Sequence, residues 1–348
     1  MTGTAPAETP RERLARRLRA GPVLAPMAGH TDAPFRRLAR AYGATWAITE
    51  MVSARALVLG DARGLAISAP HDGEDGVSVQ LFAADPAEAS DAAATLVAAW
   101  SPDAIDVNMG CPVRKVLQRG CGADLMRDPP RAAALVAAVV AAVPVPVTVK
   151  TRLGFDRFAA AEHVDAVVSA GASAIALHGR TARQGYAGEA DWDAIAAVAA
   201  RVGVPVLGSG DVRDAASYAW ARARGLGVMV ARAALGRPWL FRELLGGPPA
   251  SPAEVAAVSW RHARDHVAWY GAEGALRRLR GQLAAYAAHA GAPRTAFVRV
   301  ATLDDLADAW RAAIGDDPRD PAVAARDPVP ETLATGPAGG RRPLRSAA

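Results

Sequence analysis

The stretch Ala132–Val149, AAALVAAVVAAVPVPVTV, is the longest apolar run in the chain, and its reading decides the fold. A run of about 18 apolar residues is long enough to cross a bilayer. Pro144 and Pro146 interrupt this one, and a proline inside a helix removes a hydrogen bond and clashes with the preceding turn. The residues before Pro144 therefore read as a buried helix, and those after it, Val145–Lys150, as a β-branched strand. A helix feeding a fully apolar strand is half of a β/α repeat.

The same repeat runs outward in both directions. Toward the N-terminus lie strand patterns at Val23–Met27, Trp46–Glu50, Val77–Phe82 and Ile105–Met109. Toward the C-terminus lie Ala174–His178, Val204–Gly208 and Val228–Ala231, which brings the number to eight. Helical patterns separate them at Pro86–Trp100, Pro129–Val143, Arg157–Ala170, Asp191–Val202 and Asp214–Arg224. Several open on Pro or Asp, as helix starts favour.

Continuous apolar strands alternating with helices predict a parallel sheet covered on both faces. Eight units predict closure into a (β/α)8 TIM barrel rather than a doubly wound sheet, since no G-x-G-x-x-G follows the first strand. The fold class is thus α/β, with the barrel over residues 21–248. Beyond it, Ala253–Tyr270, Gly274–His289 and Thr302–Ala313 are helical patterns with no strand between them, a small C-terminal helical domain over 251–315. Residues 1–20 read as an N-terminal extension, loose over the first ten or so, and the Pro-, Gly- and charge-rich 316–348 as a disordered tail.

Composition agrees. A chain of 348 residues, 51% hydrophobic and 22% charged, can bury one barrel of roughly 250 residues with an appendage. The net charge of +5 permits an acidic partner such as nucleic acid. Lys115 and Lys150 are the only lysines among 40 cationic residues, and Asn108 is the only asparagine. Where nearly every cation is Arg, a surviving Lys marks a site that wants a compact point charge. Cys111 and Cys121 make neither a disulfide framework nor a zinc site, so no metal is expected. No secretory signal or membrane span is legible, which predicts a cytoplasmic protein; a monomer is expected.

Barrel enzymes carry their chemistry at the carboxyl ends of the strands. Those positions hold Pro26-Met27-Ala28, Glu50, Gln80, Asn108 through Cys111, Lys150 with Arg152, His178, Ser209-Gly210-Asp211 and Ala231-Arg232. A packed core would not deliver a polar group from strand after strand, so a cavity is predicted. Its cations and amides suit an anionic, planar, hydrogen-bonding ligand. The turns after the seventh and eighth strands occupy the usual phosphate position of such barrels, which fits a cofactor like FMN. Cys111 lies just past a strand end beside cations, where a thiol is accessible and tunable. Cys121 lacks that placement and reads as structural.

These motifs resemble the tRNA-dihydrouridine synthases, the bacterial B-type branch in particular. The resemblance spans about residues 21–313 and is carried by Leu24–Gly29 with Thr31-Asp32, Thr49–Val52, Asn108-Met109-Gly110-Cys111-Pro112, Lys150-Thr151-Arg152, His178-Gly179-Arg180-Thr181 and Gly236-Arg237-Pro238-Trp239. Three positions depart from the family pattern: Ser209 for Asn, Ala231 for Gly, and Arg280-Gly281-Gln282 for a Lys-His pair before Tyr286.

The resemblance implies reduction of tRNA uridines to 5,6-dihydrouridine by an FMN-loaded barrel using NADPH, with Cys111 as proton donor. It implies Pro26, Met27, Ala28, Gln80, Lys150, His178, Ser209, Gly210, Asp211, Ala231 and Arg232 as cofactor residues. Asn108, Arg152, Arg114 and Lys115 then face the substrate, and the helical domain binds tRNA through arginines such as Arg261, Arg264, Arg277, Arg278 and Arg280. Two rivals stay open: an FMN barrel acting on a free small molecule, and a non-redox RNA-binding barrel.

Overall fold

The computed structural model describes residues 7–327. Nine strands form one parallel sheet: β1 (Pro22–Leu24), β2 (Trp46–Ile48), β3 (Val52–Ser53), β4 (Val77–Phe82), β5 (Ala104–Asn108), β6 (Val147–Arg152), β7 (Ala174–His178), β8 (Val206–Ser209) and β9 (Gly227–Val230). The order β2-β1-β9-β8-β7-β6-β5-β4 returns from β4 to β2, so eight staves close a TIM barrel. The short β3 pairs with Leu81 and Phe82 of β4 and continues the second stave after a break. At that break Thr49 Oγ1 accepts from the Gln80 N–H at 3.0 Å and donates to the Glu50 carbonyl at 3.0 Å.

Two strands begin later than their apolar patterns, at Val147 and Val206 rather than Val145 and Val204. Pro146 and Pro205 cannot donate into the ladder, so pairing starts after them. Their carbonyls still accept, from the N–H groups of Ile105 and Ile175, both at 3.0 Å.

The helices start where aspartates can cap them. Asp85, Asp128, Asp191 and Asp214 each accept a backbone N–H of the first turn, worth about 1 kcal/mol apiece. The main core lies between sheet and helices, and a second cluster fills the barrel. Helix Pro10–Ala20 closes the floor: Leu14 and Leu18 are buried against Trp46, Ile48, Ala174 and Met229. The reading of residues 1–20 as a plain extension missed this helix, although Thr9 and Glu12 form a capping box around Pro10. With its floor plugged, the barrel is open only at the carboxyl ends of its strands.

After β9 the chain is helical: Pro252–Tyr270, Ala275–His289, Arg294–Phe297 and Leu303–Ile314. Trp310 anchors this part, stacked edge-on to Phe297 at 4.5 Å and donating to Ser259 Oγ at 2.6 Å. It meets the barrel at helix Ala33–Ala41 and its cap, where His266 Nε2 lies 2.9 Å from Asp32 Oδ2. The expected disorder from residue 316 is corrected for 316–327: Pro321–Ala324 forms a helical turn, and buried Asp327 pairs with Arg261. An ion pair with a helix already fixed in the fold explains why composition misjudged that segment. Residues 1–6 and 328–348 lie outside the described residues.

Gly208 in β8 is a fixed requirement of this packing, because an added Cβ would stand 2.1 Å from the Trp192 ring. The same indole donates to the Gly210 carbonyl at 3.0 Å and so ties helix Trp192–Ala199 to the strand end. Gly208→Ala is expected to destabilise the protein by about 1–3 kcal/mol through overpacking. Urea denaturation followed by far-UV circular dichroism measures it; an unchanged midpoint would contradict the packing described.

Candidate active site

At the open end a cavity of about 260 Å3 is lined by Pro26, Met27, Lys150, Arg152, His178 and Tyr186, and by the turns 209–213 and 231–233. Nine of the predicted cofactor residues share it: Pro26, Met27, Lys150, His178, Ser209, Gly210, Asp211, Ala231 and Arg232. Ala28 is exposed and outside the lining, and so is buried Gln80. Tyr186, which the sequence reading did not single out, stands in the loop after β7. Arg232 lies over its ring at 4.1 Å, and its ring meets His178 edge-on at 6.3 Å.

The electrostatics of the cavity are one-sided. Lys150 makes no hydrogen bond or ion pair among the described residues. Burial, then the charge of Arg152, pushes its pKa down to about 8 against the partial support of Asp106 and Cys111. His178 is pushed down to about 2 by burial and by the surrounding Lys150, Arg152, Arg180 and Arg232, so its imidazole is neutral. Asp211 is the only acid in the lining, and it is already engaged. Its carboxylate accepts from Arg180 at 2.7 Å and from the Ala190 N–H at 2.8 Å, with Arg232 at 3.9 Å. Burial opposes its ionisation, but these partners outweigh it and lower its pKa.

Backbone donors complete the picture. The N–H groups of Gly210, Asp211, Arg232 and Ala233, all in the cavity lining, donate to nothing among the described residues. Gly210 at φ +128° and Asp211 at φ +59° form a tight turn, and at Gly210 a Cβ would fall 2.5 Å from Ala190 Cβ. Orphan N–H groups converging beside cations make a concave anion site. The residues present therefore fit a cofactor that carries a phosphate and an electron-rich ring edge, as FMN does.

A hydrogen-bonded chain leads from the barrel interior to the thiol. Thr148 Oγ1 donates to Asp106, Gln80 Nε2 donates to Asp106 at 2.7 Å, and Asn108 Nδ2 donates to Gln80 Oε1 at 3.0 Å. Asn108 Oδ1 then accepts from the N–H groups of Gly110 at 3.3 Å and Cys111 at 3.0 Å. The lone asparagine thus shapes the Cys111 turn; neither it nor Gln80 lines the cavity. Cys111 is half-buried, and Gly122, at φ +62°, allows its own backbone to close on the cysteine, since a Cβ there would meet the Cys111 carbonyl at 2.7 Å. Cys121 is buried, with its thiol pushed up by burial and its Sγ on the Arg119 carbonyl at 3.5 Å.

Arg152 joins the parts. Its Nε donates to the Gly110 carbonyl at 2.8 Å, and Nη1 donates to the carbonyls of Thr181 at 3.2 Å and Gly185 at 2.9 Å. A salt bridge from Arg152 to Glu50 or Asp106, the plain alternative for such an arginine, does not form; Glu50 accepts from the Gly29 N–H at 2.6 Å instead. Arg180 was legible only as part of a motif, yet it is 2% exposed and holds both Asp211 and the carbonyls of Ala187 and Gly188. Arg114 and Lys115 are exposed in the helical turn that follows Cys111.

The helical part touches this site through Gln282. Buried at 2% exposure, it accepts from the Gly236 N–H at 2.6 Å and donates to the His30 carbonyl at 3.4 Å. Among the arginines there, Arg264, Arg277 and Arg278 are exposed, whereas Arg261 is paired with Asp327. No described helix is long and apolar enough to cross a membrane, and no group of three or more His, Cys, Asp or Glu among the described residues is placed to hold a metal.

Residues 23–313 match the sequence model of a family described as dihydrouridine synthase (Dus). A probable tRNA-dihydrouridine synthase of Rhodobacter capsulatus is 40% identical over 293 residues, 80% of this chain and 90% of that protein. The tRNA-dihydrouridine synthase B of Pseudomonas aeruginosa is 40% identical over 283 residues, 76% of this chain and 83% of that protein. A probable tRNA-dihydrouridine synthase of Mycobacterium leprae is 39% identical over 329 residues, 82% and 85% of the two chains.

Two measurements check this geometry. In protein without bound ligand, labelled with 13C-lysine, one of the two lysine signals should titrate near pH 8, below the ordinary 10.5. Because the folded pKa is the lower one, the unfolded chain binds more protons between pH 8 and 10.5, so stability rises with pH across that window. Lys150→Met should abolish that rise. Separately, Gln282→Leu leaves the Gly236 N–H without its acceptor, and a loss of about 1–3 kcal/mol in urea unfolding is expected. Wild-type stability in that variant would show that Gln282 is not the tie described.

Proposed function

The chain belongs to the dihydrouridine synthase family, and from that premise we propose that it reduces a uridine of tRNA to 5,6-dihydrouridine. In this reading FMN occupies the cavity at the barrel mouth, NADPH supplies the reducing equivalents, and Cys111 is the general acid. The observation that carries it is the juxtaposition of an uncompensated cationic cavity with a half-buried thiol, joined by Arg152.

The residues divide the work by their chemistry. Ser209, Gly210 and Asp211 in one turn and Ala231 and Arg232 in the next would hold the phosphate, through free N–H groups and the Arg232 guanidinium. Ser209 retains a donor hydroxyl where the family usually has Asn. Lys150, with no acid of its own, would supply the counter-charge for the ring of the cofactor. Neutral His178 can donate one hydrogen bond and accept another. Pro26 and Met27 would form the apolar wall.

When bound, FMN supplies hydride transfer to the uracil ring. Negative charge then builds on the pyrimidine, and a proton must reach its C5. Cys111 would give that proton, its backbone held by Asn108 so that the sulfur stays in place. A positioned acid typically contributes 10²–10⁴-fold in rate. A uridine inside folded tRNA must first be extruded, at a cost of about a few kcal/mol. Arg114 and Lys115, exposed in the turn after Cys111, would bind the phosphates that flank it.

The test is nucleoside analysis of tRNA from a deletion strain carrying either the wild-type gene or Cys111→Ala. Dihydrouridine should vanish at one position in the deletion and return with the wild type, while the alanine variant should work at least about a hundredfold more slowly in vitro. Full restoration by Cys111→Ala would remove the thiol from its role. Yellow protein with unchanged tRNA in the deletion strain would favour a small-molecule substrate.

A further inference from the structure

We infer that the loops after β5, β6 and β7 form a platform that grips the RNA strand next to the target uridine. This rests on the tRNA reading above and deepens it, by locating a surface that lies on the barrel itself rather than on the helices.

The platform has its own small core. Ala123, Met126 and Ala182 are buried together, with Leu117 and Phe155 packed against them, in a cluster separate from both barrel cores. A barrel closed by eight staves does not need this knot. Its effect is to gather three loops. The loops after β6 and β7 zip together: Leu153 N–H to the Arg180 carbonyl at 3.2 Å, Ala182 N–H to Gly154 at 2.9 Å and Arg183 N–H to Phe155 at 2.8 Å. The loop after β5 joins through the Arg127 guanidinium, 3.7 Å over the Phe155 ring. That loop is also bonded to the thiol residue, since the Ala123 N–H donates to the Cys111 carbonyl at 3.1 Å.

Each gathered loop presents a free cation beside its anchor. Arg114 and Lys115 precede Leu117, Arg157 follows Phe155, and Arg183 follows Ala182. All four are exposed, and their side chains make no hydrogen bond or ion pair among the described residues. Elsewhere on the surface some arginines are paired, as Arg55, Arg201 and Arg224 are with carboxylates at 2.6–2.9 Å. Others, such as Arg63 and Arg264, are unpaired among the described residues, so the case rests on four unpaired cations in loops gathered by one core. Asp156 and Glu189, exposed in the same loops, offset two of the four charges.

The same loops expose three large apolar side chains, Val113 at 53%, Phe158 at 54% and Tyr186 at 60%. One exposed apolar residue means nothing. Three of them interleaved with unpaired cations, around a half-buried cysteine, match single-stranded RNA, whose bases stack and whose phosphates need counter-charge. The strand flanking an extruded nucleotide presents that chemistry.

The experiment uses full-length protein and tRNA. Affinity is measured by fluorescence anisotropy over a range of salt for wild type, Arg157→Glu/Arg183→Glu, Arg157→Lys/Arg183→Lys and Phe158→Ala. The charge-reversed variant should bind at least about tenfold more weakly, and its slope of log K against log salt should be shallower by about 1–2. The lysine pair should restore most of the affinity, and Phe158→Ala should lose about fivefold or more. Flavin absorbance and NADPH oxidation without RNA should be unchanged in all of them. Charge-reversed protein that keeps its flavin and binds tRNA like the wild type would overturn the platform. Wild-type protein that reduces no uridine, while the charge-reversed variant still loses tRNA affinity, would sink the reductase reading and leave the platform standing.

Discussion

Positive charge held without a protein counter-charge is the constraint from which the barrel mouth follows. Lys150, Arg152, Arg213 and Arg232 line the cavity against a single carboxylate, Asp211, which Arg180 already holds. Desolvating a charge costs several kcal/mol even after relaxation. The protein lowers that cost in two ways visible here: Lys150 loses basicity, and His178 gives up its proton altogether. Neither removes the imbalance. An anionic ligand seated among the unpaired N–H groups would.

That imbalance sits beside a thiol whose backbone is held from inside the barrel. Asn108 fixes the Cys111 backbone from inside the barrel, through a chain that ends at Asp106, whose carboxyl is pushed up by burial despite hydrogen bonds from Gln80 and Thr148. A core of polar groups that satisfy one another is rigid and specific, since each unmade bond would be costly in low dielectric. Arg152 is the point where the two systems meet. One guanidinium grips the Gly110 carbonyl on the thiol side and the Thr181 and Gly185 carbonyls on the Tyr186 side. Planar, multiply donating and permanently charged, it does what a lysine could not.

Much of this was legible in the sequence, for reasons that differ by level. The β/α alternation was readable because buried parallel strands are continuously apolar and their helices start on Asp and Pro. The strand starts at 147 and 206 were misjudged as 145 and 204 because apolarity was followed where the missing proline N–H decides. The ring of polar strand ends was visible since register alone places those positions at one mouth. Depth was not visible. Gln80 and Asn108 share that ring yet stand behind the cavity, because their amides satisfy each other and the Cys111 turn. Arg180 and Tyr186 escaped for a related reason: their partners are loop carbonyls and another cation, set by tertiary contacts. The floor helix was readable from Thr9, Pro10, Glu12 and the Leu14–Leu18 pair, but residues 1–20 were read only as an N-terminal extension.

Helix Ala275–His289 shows how a helical appendage becomes part of a barrel. β1 and β9 pair at the seam, and the loops that follow them carry Met27 and Arg232 into the cavity. Helix Ala275–His289 presses on that seam so closely that a Cβ at Gly236 would lie 2.5 Å from Ala285 Cβ. Gln282 bonds to both loops, while Arg277 and Arg278 on the same helix face solvent. A residue at position 282 that reached outward for RNA would leave the Gly236 N–H orphaned against the helix. The amide therefore belongs to the seam, and the exposed arginines of this helix are free of that duty. Two faces of one helix then do different work, one tying together the loops after β1 and β9 and the other carrying exposed arginines.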